Sequence, residues 1–413
     1  MLIHRCPYLF VERREDVAFS LDDLLGGGSG AVTRGRWVAL AAPLAEEHEL
    51  DGDDLRLLEA VGCEDPVPRA ELERGHAPER IDRLLAAGLL LGESVPHQRL
   101  RARARQMQAA GWWPLAAAMQ AFGRWRGVDV QEHPRETIAD MVAAHGPAPA
   151  ETHARGDVAH RLSLPPPRKT ALDDLLARRV TCRNFAADGV VPLAQLADLL
   201  HRVFGEQGRQ ELAPGAVALK KNSPSGGGLH PVEAYVLAQR VEGLAPGLYH
   251  YHAVAHALEP LSAGDVGPGD GAMAATDPSG LDAADPSGWD ATPPGGWASL
   301  ALRLVAGQTW FANAPVLVLM TARFDRNFWK YQRHAKAWKV VQLDAGHLSQ
   351  NLYLTATEMG HGAFVTGAIN DEVIEQVLGL DGVTEGPVLI NGFGPRAEQI
   401  VVGELDPNGR LDA

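Results

Sequence analysis

The spacing of apolar and polar residues in the first part of this chain predicts four elements, which are in order a strand, two helices and a short strand. A strand is predicted for "AVTRGRWVALAAPL", where apolar residues alternate with polar ones. A helix is predicted for "DGDDLRLLEAVG", which starts with acidic residues and meets a stop signal at Gly62. Another is predicted for "HAPERIDRLLAAGLLLGE", turning into a short strand at Gly88. This order predicts a winged-helix-like domain over residues 1–95.

The next stretch has helical spacing and an unusual excess of basic residues. It carries six arginines and no acidic residue over "QRLRARARQMQAAGWWPLAAAMQAFGRWRG". We expect a solvated helix whose Trp112, Trp113 and Trp125 dock on a neighbouring domain. The stretch closes with "LSLPPPRKT", whose prolines favour a stiff, extended link. Residues 96–168 are therefore predicted to form a helical connector and linker.

Helical and strand patterns alternate in the remaining residues, 169–413. Helices are predicted for "LDDLLARR" and "LAQLADLLHRVFG", and strands for "PVEAYVLAQRV", "GLYHYHAV" and "APVLVLMTARF". A long, buried helix is predicted for "KVVQLDAGHLSQNLYLTATEMG". Residues 262–297 are rich in Gly, Pro, Asp and Ser and contain "DPSG" twice, which predicts an irregular surface insertion.

Composition and charge limit the classes of function. Of the 413 residues, 46% are apolar and 22% charged, which is typical of a globular protein. A net charge of −14 argues against binding to nucleic acid or to an anionic membrane. Three scattered cysteines fit a reducing compartment, and no run of residues resembles a signal peptide or a membrane span. We therefore expect a cytoplasmic protein.

The first domain is itself acidic. Between Glu46 and Glu93 there are fourteen acidic residues and five arginines. A DNA-binding winged helix needs the opposite balance. A peptide or protein partner is therefore favoured, although a purely structural appendage fits the composition equally well.

Two arginine-containing stretches and one glycine-rich stretch could together form one binding site for a ligand that carries an anionic group and a flat ring. In "RRVTCRNF", Arg179, Thr181 and Arg183 would share one face if the segment is extended, and Arg179 and Arg183 would share one if it is helical. Arginines and a hydroxyl suit a phosphate. In "KKNSPSGGGLHP", three glycines would let main-chain amides lie against a flat ligand, with Asn222 and Ser225 on its polar edge. In "NGFGPRAE", Gly392 and Gly394 free the backbone and Arg396 offers another phosphate contact.

In this order, these stretches resemble the nitroreductase-like FMN-dependent oxidoreductases, and in particular the SagB-type dehydrogenases of peptide maturation. The family's opening motif corresponds to Arg179, Thr181, Arg183 and Phe185, and its "PSGG…HP" segment to residues 224–231. Its "DAGH…QNLYL" helix corresponds to residues 344–354 and its glycine-rich ending to residues 392–396. The resemblance covers residues 170–400 and implies an α+β fold with a mostly antiparallel sheet flanked by helices.

The resemblance also implies an FMN cofactor bound at a homodimer interface, with both protomers lining each flavin. The arginines would then hold the phosphate and the anionic edge of reduced flavin, and the glycine loop would pack on the ring. The implied cofactor-binding residues are Arg179, Thr181, Arg183, Asn222, Pro224, Ser225, Gly226, Gly227, Thr366, Gly367, Gly394 and Arg396. No metal site is predicted, because His250 and His252 have no carboxylate or cysteine near them in sequence.

The implied reaction is oxidation of thiazoline or oxazoline rings to azoles in a ribosomally made peptide. The implied catalytic base is a Lys-Tyr pair, here Lys330 and Tyr331, which lie two residues further from "DAGH" than the pattern expects. A strict count places Gln332 and Arg333 there instead. Either the intervening turn is longer in this chain or the pair is not equivalent.

The implied partners are a precursor peptide, a cyclodehydratase-type enzyme and a second copy of the chain, with no nucleic acid and no membrane. Two alternatives remain open. One is an NAD(P)H-dependent FMN reductase of small nitro, quinone or dehydroamino substrates, because reduction and oxidation share the same flavin site. The other is a catalytically silent adaptor with a flavin-binding fold.

Overall fold

The computed structural model describes residues 1–132, 137–150, 152, 155, 160–261, 295–407 and 409, so most of the predicted insertion lies outside the described residues. The strands are β1 (Leu2–Arg5), β2 (Leu9–Phe19), β3 (Ala31–Ala41), β4 (Glu46–Leu50), β5 (Val67–Pro68), β6 (Leu90–Leu91), β7 (Val191–Pro192), β8 (Gly208–Ala213), β9 (Ala216–Lys220), β10 (Val232–Ala238), β11 (Val241–Glu242), β12 (Gly247–His252), β13 (Ala257–Pro260), β14 (Val316–Arg323), β15 (Gly362–Thr366) and β16 (Glu385–Gly394).

The helices of the described residues are α1 (Leu21–Leu25), α2 (Gly52–Glu59), α3 (Arg69–Leu72), α4 (Pro78–Ala86), α5 (Val95–Ala109), α6 (Pro114–Phe122), α7 (Ile138–His145), α8 (Ala171–Arg178), α9 (Leu193–Phe204), α10 (Gly296–Leu304), α11 (Thr309–Ala312), α12 (Phe324–Lys330), α13 (Ala337–Glu358) and α14 (Asp371–Leu378). None of these helices combines the length and the apolar character that crossing a bilayer requires.

The N-terminal domain consists of two small antiparallel sheets and helices α1 to α4. One sheet has the order β2-β3-β4 and the other β5-β1-β6. Helix α2 begins with a capping box formed by Asp51 and Asp54. The buried Asp54 carboxylate also accepts hydrogen bonds from Arg80 and Arg83 of α4, and these bonds hold α2 against α4. The predicted strand, both helices and the short last strand are confirmed, and the winged-helix arrangement stays a prediction.

The connector docks on the C-terminal domain through Trp112, which is 1% exposed. Its indole Nε1 donates to the main-chain oxygen of Val383 at 2.9 Å. Its ring centroid lies 4.8 Å from each of the rings of Phe324 and Phe328. Such aromatic pairs contribute about 0.5–1.5 kcal/mol beyond the area they bury. The predicted docking is confirmed for Trp112, whereas Trp125 remains 37% exposed.

The C-terminal domain is built on a six-stranded sheet with the order β13-β12-β10-β14-β16-β15. Every neighbouring pair in it is antiparallel. On one face, Val232, Ala234 and Val236 of β10 pack with α9 and α13. On the other face, Leu237 of the same strand packs with α10, α11 and α14. The predicted α+β architecture, an antiparallel sheet flanked by helices, is confirmed.

Helix α13 is the predicted long helix and lies against this sheet for 22 residues. Its inward side buries Leu348 and Leu352 and also the carboxylate of Asp344. The helix therefore brings polar side chains to the domain core, where they need partners. Its outward side, called the open face below, consists of the exposed residues Leu343, Gly346, His347 and Gln350.

The connector is also joined to α14 by a buried ion pair between Arg124 and Glu375, whose side chains are 8% and 9% exposed. Arg124 Nε donates to Glu375 Oε1 at 2.9 Å. We expect Arg124→Met to lower the free energy of unfolding by about 3–5 kcal/mol, because Glu375 loses its hydrogen-bonded partner while buried. Arg124→Met combined with Glu375→Leu should recover most of that loss. Urea unfolding measures both changes.

The matched control is Arg202→Met, which breaks the exposed pair of Arg202 and Glu358. Exposed pairs contribute about 0–1 kcal/mol, so this variant should be close to neutral. A loss for Arg124→Met no larger than the control's would show that the buried pair does not hold the connector.

Candidate active site

The glycine-rich loop is held on α13 by the carboxylate of Asp344. Ser225 donates its hydroxyl to Asp344 Oδ2 at 2.5 Å, and the N–H of Gly226 donates to Oδ1 at 3.2 Å. The hydroxyl oxygen of Ser225 accepts in turn from the N–H of His230 at 2.8 Å. Residues 226–228 form one 3-10 turn between these anchors. The carboxylate therefore fixes the start of the loop, and the Ser225 hydroxyl joins that start to the end of the loop at His230.

The anchoring also accounts for the burial of Asp344, which is 4% exposed. Burial raises the pKa of this carboxyl group, and the hydrogen bonds from Ser225 and Gly226 oppose that shift. Both carboxylate oxygens act as acceptors, which is the arrangement of the ionised form. The loop and the buried charge therefore stabilise each other.

A second anchor lies two helical turns along α13, at Asn351. Its Nδ2 donates to Ser223 Oγ at 2.8 Å. Ser223 and Ser225, on either side of Pro224, are thus bound by side chains seven positions apart on one helix face. The loop is fixed against α13 before any ligand is considered.

A small cavity of about 10 Å³, roughly the size of one water molecule, lies behind the loop. Lys221, Ser223, Ser225, His230 and Asp344 are among its lining residues. Burial lowers the pKa of Lys221, which is 4% exposed. Burial, and then the charge of Lys221, lower the pKa of His230 to about 4. The imidazole is therefore neutral near pH 7, beside a buried lysine.

Lys330 and Tyr331 converge on the glycine loop. Gly227 has φ +66°, and a Cβ built there would lie 2.7 Å from Tyr331 Oη and 2.8 Å from Lys330 Nζ. Lys330 Nζ donates to the main-chain oxygen of Gly227 at 3.5 Å. The side chain of Lys330 is exposed in the single chain. Glycine at position 227 leaves the space in which these two side chains approach the loop.

The alternative pair, Gln332 and Arg333, lies elsewhere. The N–H of Arg333 donates to the main-chain oxygen of Gly111 at 2.9 Å, and Gln332 also lies against Gly111. Both residues belong to the irregular segment between α12 and α13. Of the two possible registers, the structure places Lys330 and Tyr331 at the loop, and their catalytic role stays a prediction.

A second cluster surrounds Tyr353, near the other end of α13. Thr181 Oγ1 and Tyr353 Oη are 3.0 Å apart and share a hydrogen bond. The guanidinium of Arg179 lies 5.3 Å from the centroid of the Tyr353 ring. Burial raises the pKa of Tyr353, while the hydrogen bond with Thr181 and then the charges of Arg179 and Arg183 oppose the shift. The three predicted side chains therefore share one face of an extended segment, whose intervening residues Val180 and Cys182 are buried.

Arg183 and Arg396 are both in contact with residues 403–404. Arg183 Nη1 donates to the main-chain oxygen of Gly403 at 3.1 Å. Arg396 forms an ion pair with Glu404. In contrast, no carboxylate of the described chain pairs with Arg179. Of the three predicted arginines, Arg396 therefore pairs with a carboxylate, Arg183 binds a main-chain oxygen, and Arg179 has no carboxylate partner among the described residues.

The other predicted cofactor residues are Asn222, Pro224, Thr366, Gly367 and Gly394. Asn222 Nδ2 donates to the main-chain oxygen of Arg202 at 2.8 Å, and Pro224 is exposed. The buried hydroxyl of Thr366 shares hydrogen bonds with Gln308, while Gly367 borders open space. A Cβ on Gly394 would lie 2.4 Å from Pro315, so close packing within the chain already explains that glycine.

Cys182 lies within the arginine stretch but is fully buried. Burial raises the pKa of its thiol to about 12, despite the opposing charge of Arg396. The thiol therefore stays protonated and packs against Gly362. Among the described residues, no group of three or more His, Cys, Asp or Glu side chains is arranged to hold a metal ion.

Residues that organise the site but were absent from the predicted set are Asp344, Asn351, Tyr353 and Glu404. The first three lie on α13 and carry polar groups toward the packed side of an otherwise apolar helix. That pattern in "DAGHLSQNLY" is a usable signal, because buried polar groups require partners. Glu404 gives no comparable local signal.

The family model that matches this chain lies in its C-terminal part. The family model described as "Nitroreductase family" matches residues 176–394, just over half of the chain. "Putative nitroreductase MJ1384" of Methanocaldococcus jannaschii is 24% identical over 57% of this chain and 97% of its own length. "Trifolitoxin-processing protein TfxB" of Rhizobium leguminosarum bv. trifolii is 28% identical over 40% of this chain and 37% of its own length.

A further relative is "Microcin B17-processing protein McbC" of Escherichia coli. It is 23% identical over 51% of this chain and 65% of its own length. The match to each of the two processing proteins therefore covers less than two thirds of that protein.

The anchoring of the loop by Asp344 predicts a measurable coupling with Ser225. We expect Asp344→Asn and Ser225→Ala each to lower the free energy of unfolding by about 1–3 kcal/mol, because each leaves a buried polar group without its partner. In a double-mutant cycle the two changes should couple by about 0.5–3 kcal/mol. Additive losses would show that the bond does not hold the loop. The control is Ser225→Ala paired with Asp173→Asn on exposed α8, which should be additive.

Proposed function

Because the chain belongs to the nitroreductase family, we propose that it is an FMN-dependent dehydrogenase that oxidises thiazoline or oxazoline rings to azoles during maturation of a ribosomally made peptide. The family indicates an oxidoreductase. The two relatives named as trifolitoxin- and microcin B17-processing proteins favour a role in peptide maturation. The observation that carries the proposal is the convergence of Lys330 and Tyr331 on the glycine loop at Gly227.

The residues present fit FMN. Arg179, Thr181 and Arg183 provide guanidinium and hydroxyl donors on one face of an extended segment, which is a suitable donor set for a phosphate. Gly228 and Gly367 border open space, where the missing side chains leave main chain accessible to a flat ring. These residues would hold the cofactor, with the loop fixed in advance by Asp344.

The conversion of an azoline to an azole removes a hydride and a proton from neighbouring ring carbons. When bound, FMN supplies the hydride acceptor, and molecular oxygen would serve as the final oxidant. Lys330 and Tyr331 would remove the proton, since both side chains reach the loop from the same side. Lys330 is exposed in the single chain, so substrate or a second protomer would supply the desolvation that favours its neutral, basic form.

A second copy of the chain would complete the site. Asp344, at the glycine loop, and Tyr353, at the arginine segment, are nine residues apart on α13, or about 14 Å along the helix. The open face lies along the same part of α13 and exposes 53% of Leu343. Gly346 on this face has no atom within 4 Å of its Cβ position, which leaves room for close approach of another backbone. We therefore propose a homodimer in which each flavin contacts both protomers.

The proposed partners are a precursor peptide and a cyclodehydratase-type enzyme that forms the azoline rings. The relatives named as microcin B17- and trifolitoxin-processing proteins support the peptide partner. We propose that the N-terminal domain, residues 1–95, binds one of these partners. Its acidic composition supports a protein or peptide ligand over nucleic acid.

The purified protein is expected to show a flavin visible spectrum and to release about one FMN per chain on heating. Incubated with an azoline-containing peptide in air, it should remove two hydrogen atoms per ring, measured by mass spectrometry. The same peptide with its rings already aromatic is the control. A protein that neither carries nor takes up FMN contradicts the proposal. Rapid bleaching by NADPH with no azoline oxidation would instead support an NAD(P)H-dependent reductase.

Two glycines of similar conformation offer a matched test of the Lys330 and Tyr331 assignment. Gly227 in the loop and Gly243 outside the site both have left-handed φ, +66° and +74°, so alanine at either should cost a similar strain of about 1–2 kcal/mol. A new Cβ at Gly227 would displace Lys330 and Tyr331, whereas nothing lies within 4 Å of the Cβ position of Gly243. We expect Gly227→Ala to lower turnover at least about tenfold relative to Gly243→Ala, at similar melting temperature. Equal turnover of the two variants would remove Lys330 and Tyr331 from the reaction.

A further inference from the structure

The carboxylate of Glu404 fills an anion cradle built from the two arginine stretches. Its Oε1 accepts from the N–H of Arg183 at 2.5 Å and from the N–H and the side-chain Nδ2 of Asn184 at 3.1 and 2.8 Å. Its Oε2 accepts from Arg396. The Glu404 side chain is 1% exposed. A guanidinium, two main-chain amides and an amide side chain are the donors that an oxyanion requires.

Asn184 holds the chain around Glu404 in place independently of that carboxylate. Its Oδ1 accepts from the N–H groups of Val401 and Val402 at 2.9 and 2.8 Å. Its Nδ2 donates to the main-chain oxygen of Val402 at 2.7 Å. Residues 401–404, called the strap below, are therefore bound by several hydrogen bonds to one buried side chain.

Residues 395–397, which lie between the end of β16 and the strap, are also bound to the extended arginine segment. The N–H of Ala397 donates to the main-chain oxygen of Asn184 at 2.8 Å, and the N–H of Ala186 donates to that of Pro395 at 3.0 Å. Phe185 and Arg396 form an antiparallel bridge. Glu404 closes this arrangement by neutralising Arg396. The position of the segment that carries Arg179 and Thr181 therefore depends on the cradle.

A ligand phosphate cannot use the cradle while Glu404 occupies it. Displacing the carboxylate would expose or unpair a buried charge, and would also require breaking the bonds of the strap to Asn184. Arg179 forms no ion pair within the described chain, and the guanidinium of Arg183 uses a single donor, Nη1, for Gly403. These two guanidiniums keep donors available for an anion.

We propose that Arg396 and Glu404 are positioning residues, which lock the segment 179–185 in place and leave the cofactor phosphate to Arg179, Thr181 and Arg183. This inference rests on the proposed FMN function. It divides the predicted arginines into two roles: Arg396 stabilises the strap, and Arg179 binds the cofactor. The strap itself is testable without the cofactor.

The test compares Arg396→Gln, Glu404→Gln and Arg179→Gln in the full chain. The melting temperature of the protein without cofactor, the rate of proteolysis within residues 397–407 and the dissociation constant of FMN are measured for each. We expect Arg396→Gln and Glu404→Gln to lower the melting temperature by at least about 5 °C and to speed cleavage of the strap. Once folded, their FMN dissociation constants should rise by less than about fivefold, because the loosened segment keeps all of its phosphate donors.

Arg179→Gln should behave in the opposite way. We expect its melting temperature to be unchanged and its FMN dissociation constant to rise at least about tenfold, because a phosphate donor is lost. Glu358→Gln, on an exposed ion pair, is the charge-matched control and should change neither quantity. If Arg396→Gln is too unstable to assay, Arg396→Gln combined with Glu404→Gln leaves no unpaired buried charge and replaces it.

Two outcomes would overturn the inference. An FMN dissociation constant raised as much by Arg396→Gln as by Arg179→Gln, at unchanged stability, would make Arg396 a phosphate ligand. Tighter FMN binding by Glu404→Gln would make Glu404 a competitor of the cofactor. If the unmodified protein does not bind FMN, the proposed function fails, whereas the melting and proteolysis results still decide whether the strap locks the segment.

Discussion

The hydrogen bonds from Ser225 and Gly226 to the buried carboxylate of Asp344 are the constraint on which the candidate site depends. A flexible run of glycines loses much conformational entropy when it is ordered, and a charge in the core requires donors. The loop supplies the hydrogen-bond donors that the buried carboxylate needs, and the carboxylate in turn holds the glycine loop in one conformation. Because Asp344 is part of α13, the loop is thereby positioned relative to the whole antiparallel sheet.

Helix α13 then serves as a common support for two chemically different groups. Near Asp344 it faces the glycine loop, where Lys330 and Tyr331 arrive from the end of α12. Near Tyr353 it faces the extended segment with Arg179 and Thr181. The two groups are separated along one rigid axis, so their distance is set by helix geometry and not by loop conformation. This separation is the physical reason for proposing that two protomers share each site.

The arginines of the chain differ in role according to the carboxylates around them. Arg124 and Arg396 have buried acidic partners and hold segments of the chain together. Arg179 has an aromatic ring beside it and no carboxylate among the described residues, so its charge remains available to an anion. The same residue type thus serves as a structural tie or as a ligand group, depending on which charges the fold places next to it.

The sequence by itself determined the features that depend on local spacing. Strand and helix periodicity predicted the individual elements of the C-terminal domain, including α13, and the resemblance of its motifs to a known family implied the antiparallel sheet. Alternation along the stretch from Arg179 to Arg183 places its three polar side chains on one face if the stretch is extended, as it is. The run of three glycines also predicted a loop that other groups approach closely. In the structure, Lys330 and Tyr331 approach it at Gly227. Only the tertiary structure decided which partners meet across the chain. The register of Lys330 and Tyr331 depends on the path of an irregular turn, and the pairing of Arg396 with Glu404 depends on how a terminal segment folds back. Neither has a periodic pattern, because hydrogen bonds between residues distant in sequence are set by packing and not by local conformational preference.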